Sequence, residues 1–194
     1  MTTEQFVYLR EKAVTIFGGQ LLDKKSYQLL KKVVNYLVKR NFYIITGGLS
    51  VKKSVMYEPI RLADNKVISL YSEDDNTTSR ELIITDRELS YTAKNFGDQI
   101  YQMIQSQALI IFDGGLSTLA ELTLALDYWK RYQKQGAKKP VILFFSRKWL
   151  AYRENMIEDG LIDKDLVRHY CLYCHGYARF VAHFESFFPK NTPR

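Results

Sequence analysis

A chain of 194 residues, 46% hydrophobic and 25% charged, is long enough to bury a core and too short for two full domains, so a single domain over 1–194 is expected. No window reaches the ~18 uninterrupted apolar residues of a membrane span, and the first residues, with Glu4, Arg10, Glu11 and Lys12, lack a secretory apolar run; a soluble cytoplasmic protein with no membrane partner is expected. The net charge of +7 suits a polyanion, but the basic residues fall in scattered pairs such as Lys24-Lys25, Lys31-Lys32, Lys52-Lys53 and Lys138-Lys139, which reads as a solvated surface rather than a nucleic-acid face.

In chain order, apolar runs rich in β-branched and aromatic residues occur at Ala13–Phe17, Phe42–Thr46, Val67–Tyr71, Leu82–Thr85, Ala108–Phe112 and Val141–Phe145. They lack polar alternation, as strands covered on both faces do, and so predict a parallel sheet. Helical spacing lies between them. Ser26–Arg40 carries Leu29, Leu30, Val33, Val34, Leu37 and Val38 on one broad face, and a second helix runs from Leu119 through Leu122 and Leu126 to Trp129. Strand and helix in alternation give a doubly wound, Rossmann-like α/β domain, whose ligands bind beyond the carboxyl ends of the strands. At the end of the chain a strand near Val167–Tyr173 and a helix over Tyr177–Phe188 are predicted. The stripe Phe180, Phe184, Phe187 and Phe188 on that helix reads as core or dimer interface.

Three strands run directly into small-residue turns: Phe17-Gly18-Gly19, Thr46-Gly47-Gly48 and Asp113-Gly114-Gly115-Leu116-Ser117-Thr118. Glycine lets a ligand approach backbone amides, and a helix beginning just after the turn offers phosphate its unpaired N–H groups. Gly18, Gly19, Gly47, Gly48, Gly114, Gly115, Leu116, Ser117 and Thr118 are therefore the candidate phosphate-binding residues. A branched side chain at Gly115 is expected to strain the third turn. Glu121 has two readings: it closes a capping box with Thr118, or it faces a bound ribose.

The run Ile110-Ile111-Phe112-Asp113-Gly114-Gly115-Leu116-Ser117-Thr118-Leu119-Ala120-Glu121 resembles the signature Pro-Gly-Gly-x-Gly-Thr-x-x-Glu of the LOG family, often labelled lysine decarboxylase-like, within the SLOG superfamily of Rossmann-like nucleotide binders. The resemblance extends in order and spacing over roughly Lys12–Asp163. It implies nucleoside 5′-monophosphate phosphoribohydrolase chemistry, cleavage of an N-glycosidic bond, with Glu121 matching the signature glutamate as the catalytic candidate. The family's arginine falls at Asp98-Gln99 here, Asp113 replaces the signature proline, and Pro59 falls where the helix after the second motif is under way unless that helix begins at Pro59. The scaffold is kept while the catalytic set is incomplete. The leading expectation is a binder or sensor of a nucleotide-like ligand with weak or no hydrolase activity. A phosphoribohydrolase served by Arg80 or Arg87 is the alternative, and a DNA-processing-type nucleic-acid binder is the second. The resemblance also implies a homodimer, with Tyr128, Trp129 and Tyr132 as candidate contacts, and no cofactor.

Cys171-Leu172-Tyr173-Cys174-His175 has the Cys-x-x-Cys-His form of haem attachment, and with His169 and His183 nearby it has the residue types of a zinc site. The simpler reading is two buried, reduced thiols with no metal.

Overall fold

The computed structural model describes residues 1–19, 22–47, 57–63, 65–74, 88–132 and 141–190. The apolar runs become β1 (Ala13–Phe17), β2 (Tyr43–Gly47), β3 (Val67–Ser72), β5 (Ala108–Ile111) and β6 (Val141–Phe144), joined by β4 (Glu88–Ala93) and β7 (Cys171–Tyr173). The run Leu82–Thr85 lies outside the described residues. All neighbouring strands pair in parallel, in the order β4-β3-β2-β1-β5-β6-β7. Every residue of β1, β5 and β6 is buried, which is why these segments show no polar alternation.

Helices cover both faces. On one face pack α1 (Thr3–Arg10), α4 (Phe96–Met103), α5 (Leu116–Tyr132), α6 (Arg147–Glu158) and α7 (Lys164–Tyr170), through Phe6, Ile100, Met103, Leu122, Leu126, Trp149 and Val167. On the other pack α2 (Lys24–Lys39), α3 (Tyr57–Arg61) and α8 (Tyr177–Phe187), through Leu30, Val33, Leu37, Ile60, Phe180 and Phe184. Successive strand residues divide between the two cores: Ala13 and Phe17 belong to the first, Val14 and Ile16 to the second. Caps set several helix starts. Asp23 accepts from the amide of Ser26 at 2.6 Å, and Thr2 with Gln5 forms a capping box ahead of Phe6.

Two local expectations are corrected. The segment predicted as a strand over Val167–Tyr173 is mostly α7, with only Cys171–Tyr173 extended. Val167 reaches the core from one face of that helix, leaving three residues to pair with β6. The helix after the second turn, described over Tyr57–Arg61, already includes Tyr57 and Glu58 ahead of Pro59 and so does not begin at Pro59. Pro59 therefore lies inside the described helix rather than at its first position. Among the described residues no helix is long and apolar enough to cross a membrane.

The chain after β1 leads to α2 on one face, while the chain after β5 leads to α5 on the other. These two strands are neighbours in the sheet. Their carboxyl ends thus form a topological switch point, where diverging connections leave a crevice.

Candidate functional site

A cavity of about 640 Å³ occupies that crevice. Its rim combines Gly18 and Gly19 after β1, Thr46 and Gly47 at the end of β2, and Asp113, Gly114, Gly115 and Ser117 after β5. Ile16, Phe17, Ile60 and Met103 supply an apolar wall, and Glu121 and Lys148 complete the lining. The structure thus brings most of the candidate residues to one place. Leu116 is an exception, with 85% of its surface exposed; Thr118 is fully buried; Gly48 lies outside the described residues, as do Lys52, Lys53, Arg80 and Arg87.

The first and third turns are joined directly. The amide of Gly19 donates to the carbonyl oxygen of Asp113 at 2.6 Å. The approach is close enough that a Cβ on Gly114 would lie 2.1 Å from Thr118 Oγ1 and 3.0 Å from the nitrogen of Gly19. Gly114 therefore has no room for a side chain. A Cβ on Gly115 would meet nothing within 4 Å, so the expectation of strain belongs to Gly114 and not to its neighbour.

The capping box is also corrected. Helix α5 begins at Leu116, and its first described hydrogen bond runs from Leu119 N to Gly115 O at 3.1 Å. Thr118 is consequently inside the first turn rather than at its cap, and its buried hydroxyl has no hydrogen-bond partner among the described residues. The amides of Leu116, Ser117 and Thr118 have no intrahelical acceptor, and they lie at the positive end of a helix spanning 17 residues. An anion at this rim would meet these groups with no rearrangement of the helix.

Released from the capping role, Glu121 stands on the cavity wall, and no described residue hydrogen-bonds to its carboxyl. Desolvation raises its pKa from 4.5 to about 8. At neutral pH this group is mostly an uncharged acid, able to donate a hydrogen bond and adding little negative charge to the cavity.

The positions matching the family arginine have other work. Gln99 is buried, and its Nε2 donates to Leu70 O at 2.8 Å, tying α4 to β3. Asp98 accepts from the amide of Lys94 at 3.1 Å and from Gln102 Nε2 at 3.1 Å. Neither lines the cavity. Among the described residues the cation that does is Lys148, on the first turn of α6, whose ammonium donates to the carbonyl oxygen of Gly114. Sequence reasoning missed it. The available signal was topological: β6 is parallel to β5, so the start of α6 emerges at the same sheet edge as the glycine turns.

The cysteine–histidine tail builds no comparable site. Cys171 and Cys174 are buried, and burial pushes both thiols up to about 12. His183 Nε2 accepts from Arg179 Nε at 3.1 Å. Among the described residues no three His, Cys, Asp or Glu side chains gather as metal ligands.

Fold and cavity together define a Rossmann-like α/β domain open at its switch point. Among solved structures it is similar to the Moco carrier protein of Chlamydomonas reinhardtii, at TM-score 0.60 and 15% identity over 93% of this chain and 99% of that one. It is equally similar to the molybdenum cofactor binding protein of Rippkaea orientalis, at TM-score 0.60 and 16% identity over 91% and 95% of the two chains. DNA processing protein A of Helicobacter pylori, described for its single-stranded DNA binding mode, matches at TM-score 0.56 and 17% identity over 95% of this chain and 84% of its own. At such identities the likeness is one of fold. No family model and no curated protein sequence matches the chain.

Proposed function

We propose that the chain is a binder or sensor of a nucleotide or nucleotide-like phosphate ligand, held in the cavity between β1 and β5, with weak or no hydrolase activity. The observation that carries this reading is the head of α5. Three amides without intrahelical acceptors open there beside Gly114, a position where the backbone has no room for a side chain. The proposed contacts are Gly18, Gly19, Gly47, Gly48, Gly114, Gly115, Leu116, Ser117 and Thr118, with the exposed Leu116 and buried Thr118 contributing through their amides. Structural roles for Asp98 and Gln99, where the resemblance expected an arginine, favour binding over turnover. The names of two structural neighbours, a cofactor carrier and a cofactor-binding protein, point the same way.

Glu121 supports a second reading, a nucleoside 5′-monophosphate phosphoribohydrolase. A carboxyl with its pKa near 8 lies in the range of a general acid. Calorimetry against a nucleotide panel, with chromatography of the same mixtures for free base, separates the two. Binding without base release supports the binder, stoichiometric base release establishes the hydrolase, and no binding at millimolar concentration overturns both. Salt-sensitive binding of single-stranded DNA in the absence of nucleotide binding would favour the third reading, to which the DNA processing protein likeness belongs. We further propose a homodimer paired through α5. Exposed Leu124 on α5 and Phe96 and Tyr101 on α4 supply apolar surface there. A monomer mass by light scattering at micromolar concentration overturns the dimer.

A further inference from the structure

We infer that Lys148 is the side chain that takes the ligand's phosphate, acting from the start of α6 onto the third glycine turn. The inference rests on the phosphate-ligand reading above and assigns its cationic partner.

Three contacts fix where this lysine works. Ser146 caps α6, its Oγ accepting from the amide of Lys148 at 3.2 Å. The ammonium lies 4.4 Å from the ring centre of Trp149, a favourable placement for a cation over an aromatic face. Trp149 is itself held, only 3% exposed, with its indole Nε1 donating to Phe112 O at 3.0 Å. From that seat the ammonium donates to the carbonyl oxygen of Gly114. An ammonium carries three donors, so two remain for a ligand once the Gly114 carbonyl has taken one.

Charge accounting over the described residues of the rim favours the lysine for this role. Asp113 lines the same cavity and is exposed, so a phosphate at the head of α5 meets a carboxylate one residue from Gly114. The partial positive charge of a helix end, about half a unit, does not offset a full carboxylate and a phosphate together. Lys148 supplies the missing unit at the carbonyl of the adjoining residue. Glu121, mostly uncharged below pH 8, does not add to the repulsion. An arginine could not simply be exchanged for this lysine elsewhere on the rim, because the position depends on the Ser146 cap and the Trp149 ring. The ligand this arrangement takes is one whose phosphate lies at the α5–α6 end of the cavity and whose less polar body extends along Ile16, Ile60 and Met103.

The test uses inorganic phosphate as probe, titrated by calorimetry at low ionic strength into wild type, Lys148→Gln, Lys148→Met and Lys148→Arg, with Arg147→Gln as a surface control. Lys148→Met keeps an aliphatic stem over Trp149 and guards against a folding defect, which unliganded melting would reveal. The two neutral variants are expected to weaken phosphate about tenfold, with Lys148→Arg within about threefold of wild type and the control unchanged. The neutral variants should also show a shallower salt dependence of affinity. Phosphate bound by both neutral variants within about threefold of wild type overturns the role of Lys148 while leaving the phosphate reading intact. An equal loss in Lys148→Arg overturns it too, since packing rather than charge would then be the cause. Wild type that fails to bind phosphate at millimolar concentration overturns both inferences.

Discussion

Residues 113–121 follow β5 and residues 174–184 follow β7 at the carboxyl edge of the sheet, and both segments carry side chains capable of binding metals or phosphate. After β5 the chain enters a turn in which Gly114 is crowded by Thr118 and Gly19, and a cavity opens beside it. After β7 the chain turns at once into α8, whose Phe180 and Phe184 are fully buried against α2 and the sheet. The difference follows from position. β5 lies beside β1 at the point where the connections diverge, whereas β7 is the last strand and its following helix is free to fold back over one face. Residue type proposes a site, but the topology decides which strand end is left open.

The largest effect that tests this contrast is in the tail. Phe184 packs against Tyr36, Phe42, Phe180 and Phe188 at centroid separations of 5.8, 5.0, 5.5 and 4.7 Å. Phe184→Ala is expected to cost about 3–5 kcal/mol in chemical denaturation and to leave nucleotide affinity of the folded fraction unchanged. Lost affinity in a variant that is still folded would join the tail to the site.

Next comes the pair of adjacent glycines. Gly114→Ala should destabilise by about 1–3 kcal/mol through overpacking against Thr118 and abolish ligand binding. Gly115→Ala, with open space around the new methyl, should stay within about 0.5 kcal/mol. Equal stabilities of the two variants would show that the third turn is not closed in the way described.

A smaller effect is expected from Glu121→Gln, and it depends on pH. The folded-state pKa of Glu121 is raised from 4.5 to about 8, so the unfolded chain releases its proton first. Wild-type stability from this group is retained below pH 4.5, falls between pH 4.5 and about 8, and is level above that range. The glutamine variant should match wild type near pH 4 and exceed it above pH 8 by on the order of 2 kcal/mol, allowing for solvent screening. A pH-independent difference in melting temperature would remove the desolvated acid from the cavity wall. The smallest effect concerns the thiols. With both pushed up to about 12 by burial, neither should react with an aromatic disulfide reagent at pH 8 before unfolding, and added zinc should not move the melting temperature. Rapid labelling would show that the tail opens.

Much of the sheet was legible because its central strands are buried on both faces and need unbroken apolar runs, as Val14, Ile16, Leu109 and Ile111 do. β4 was not, since Glu88–Ala93 is an edge strand with Ser90 and Thr92 between its apolar residues. The helix α7 was hidden because Val167, its buried residue among the described side chains, sits in a short segment that reads equally well as strand. At the cavity, the glycine turns are visible as local patterns, but the choice between the two readings of Thr118 and Glu121 is not legible locally. The spacing of Thr118 to Glu121 fits a cap only if the helix starts at Leu119, and the chain turns helical three residues sooner, at Leu116. Lys148 carried no local pattern at all. It reaches Gly114 only because β5 and β6 are adjacent, a fact of pairing rather than of composition.

The seat of that lysine also gives the protein an optical reporter. Trp149 is one of two tryptophans in the chain, it is buried, and its indole bridges the Phe112 carbonyl and the Lys148 ammonium. A cation over an indole face shifts its emission, so an anion that drew the ammonium from the ring as proposed would change the fluorescence of Trp149. If an anion binds as proposed, occupancy of the cavity would be followed in real time in unlabelled protein, with Trp129→Phe removing the other emitter.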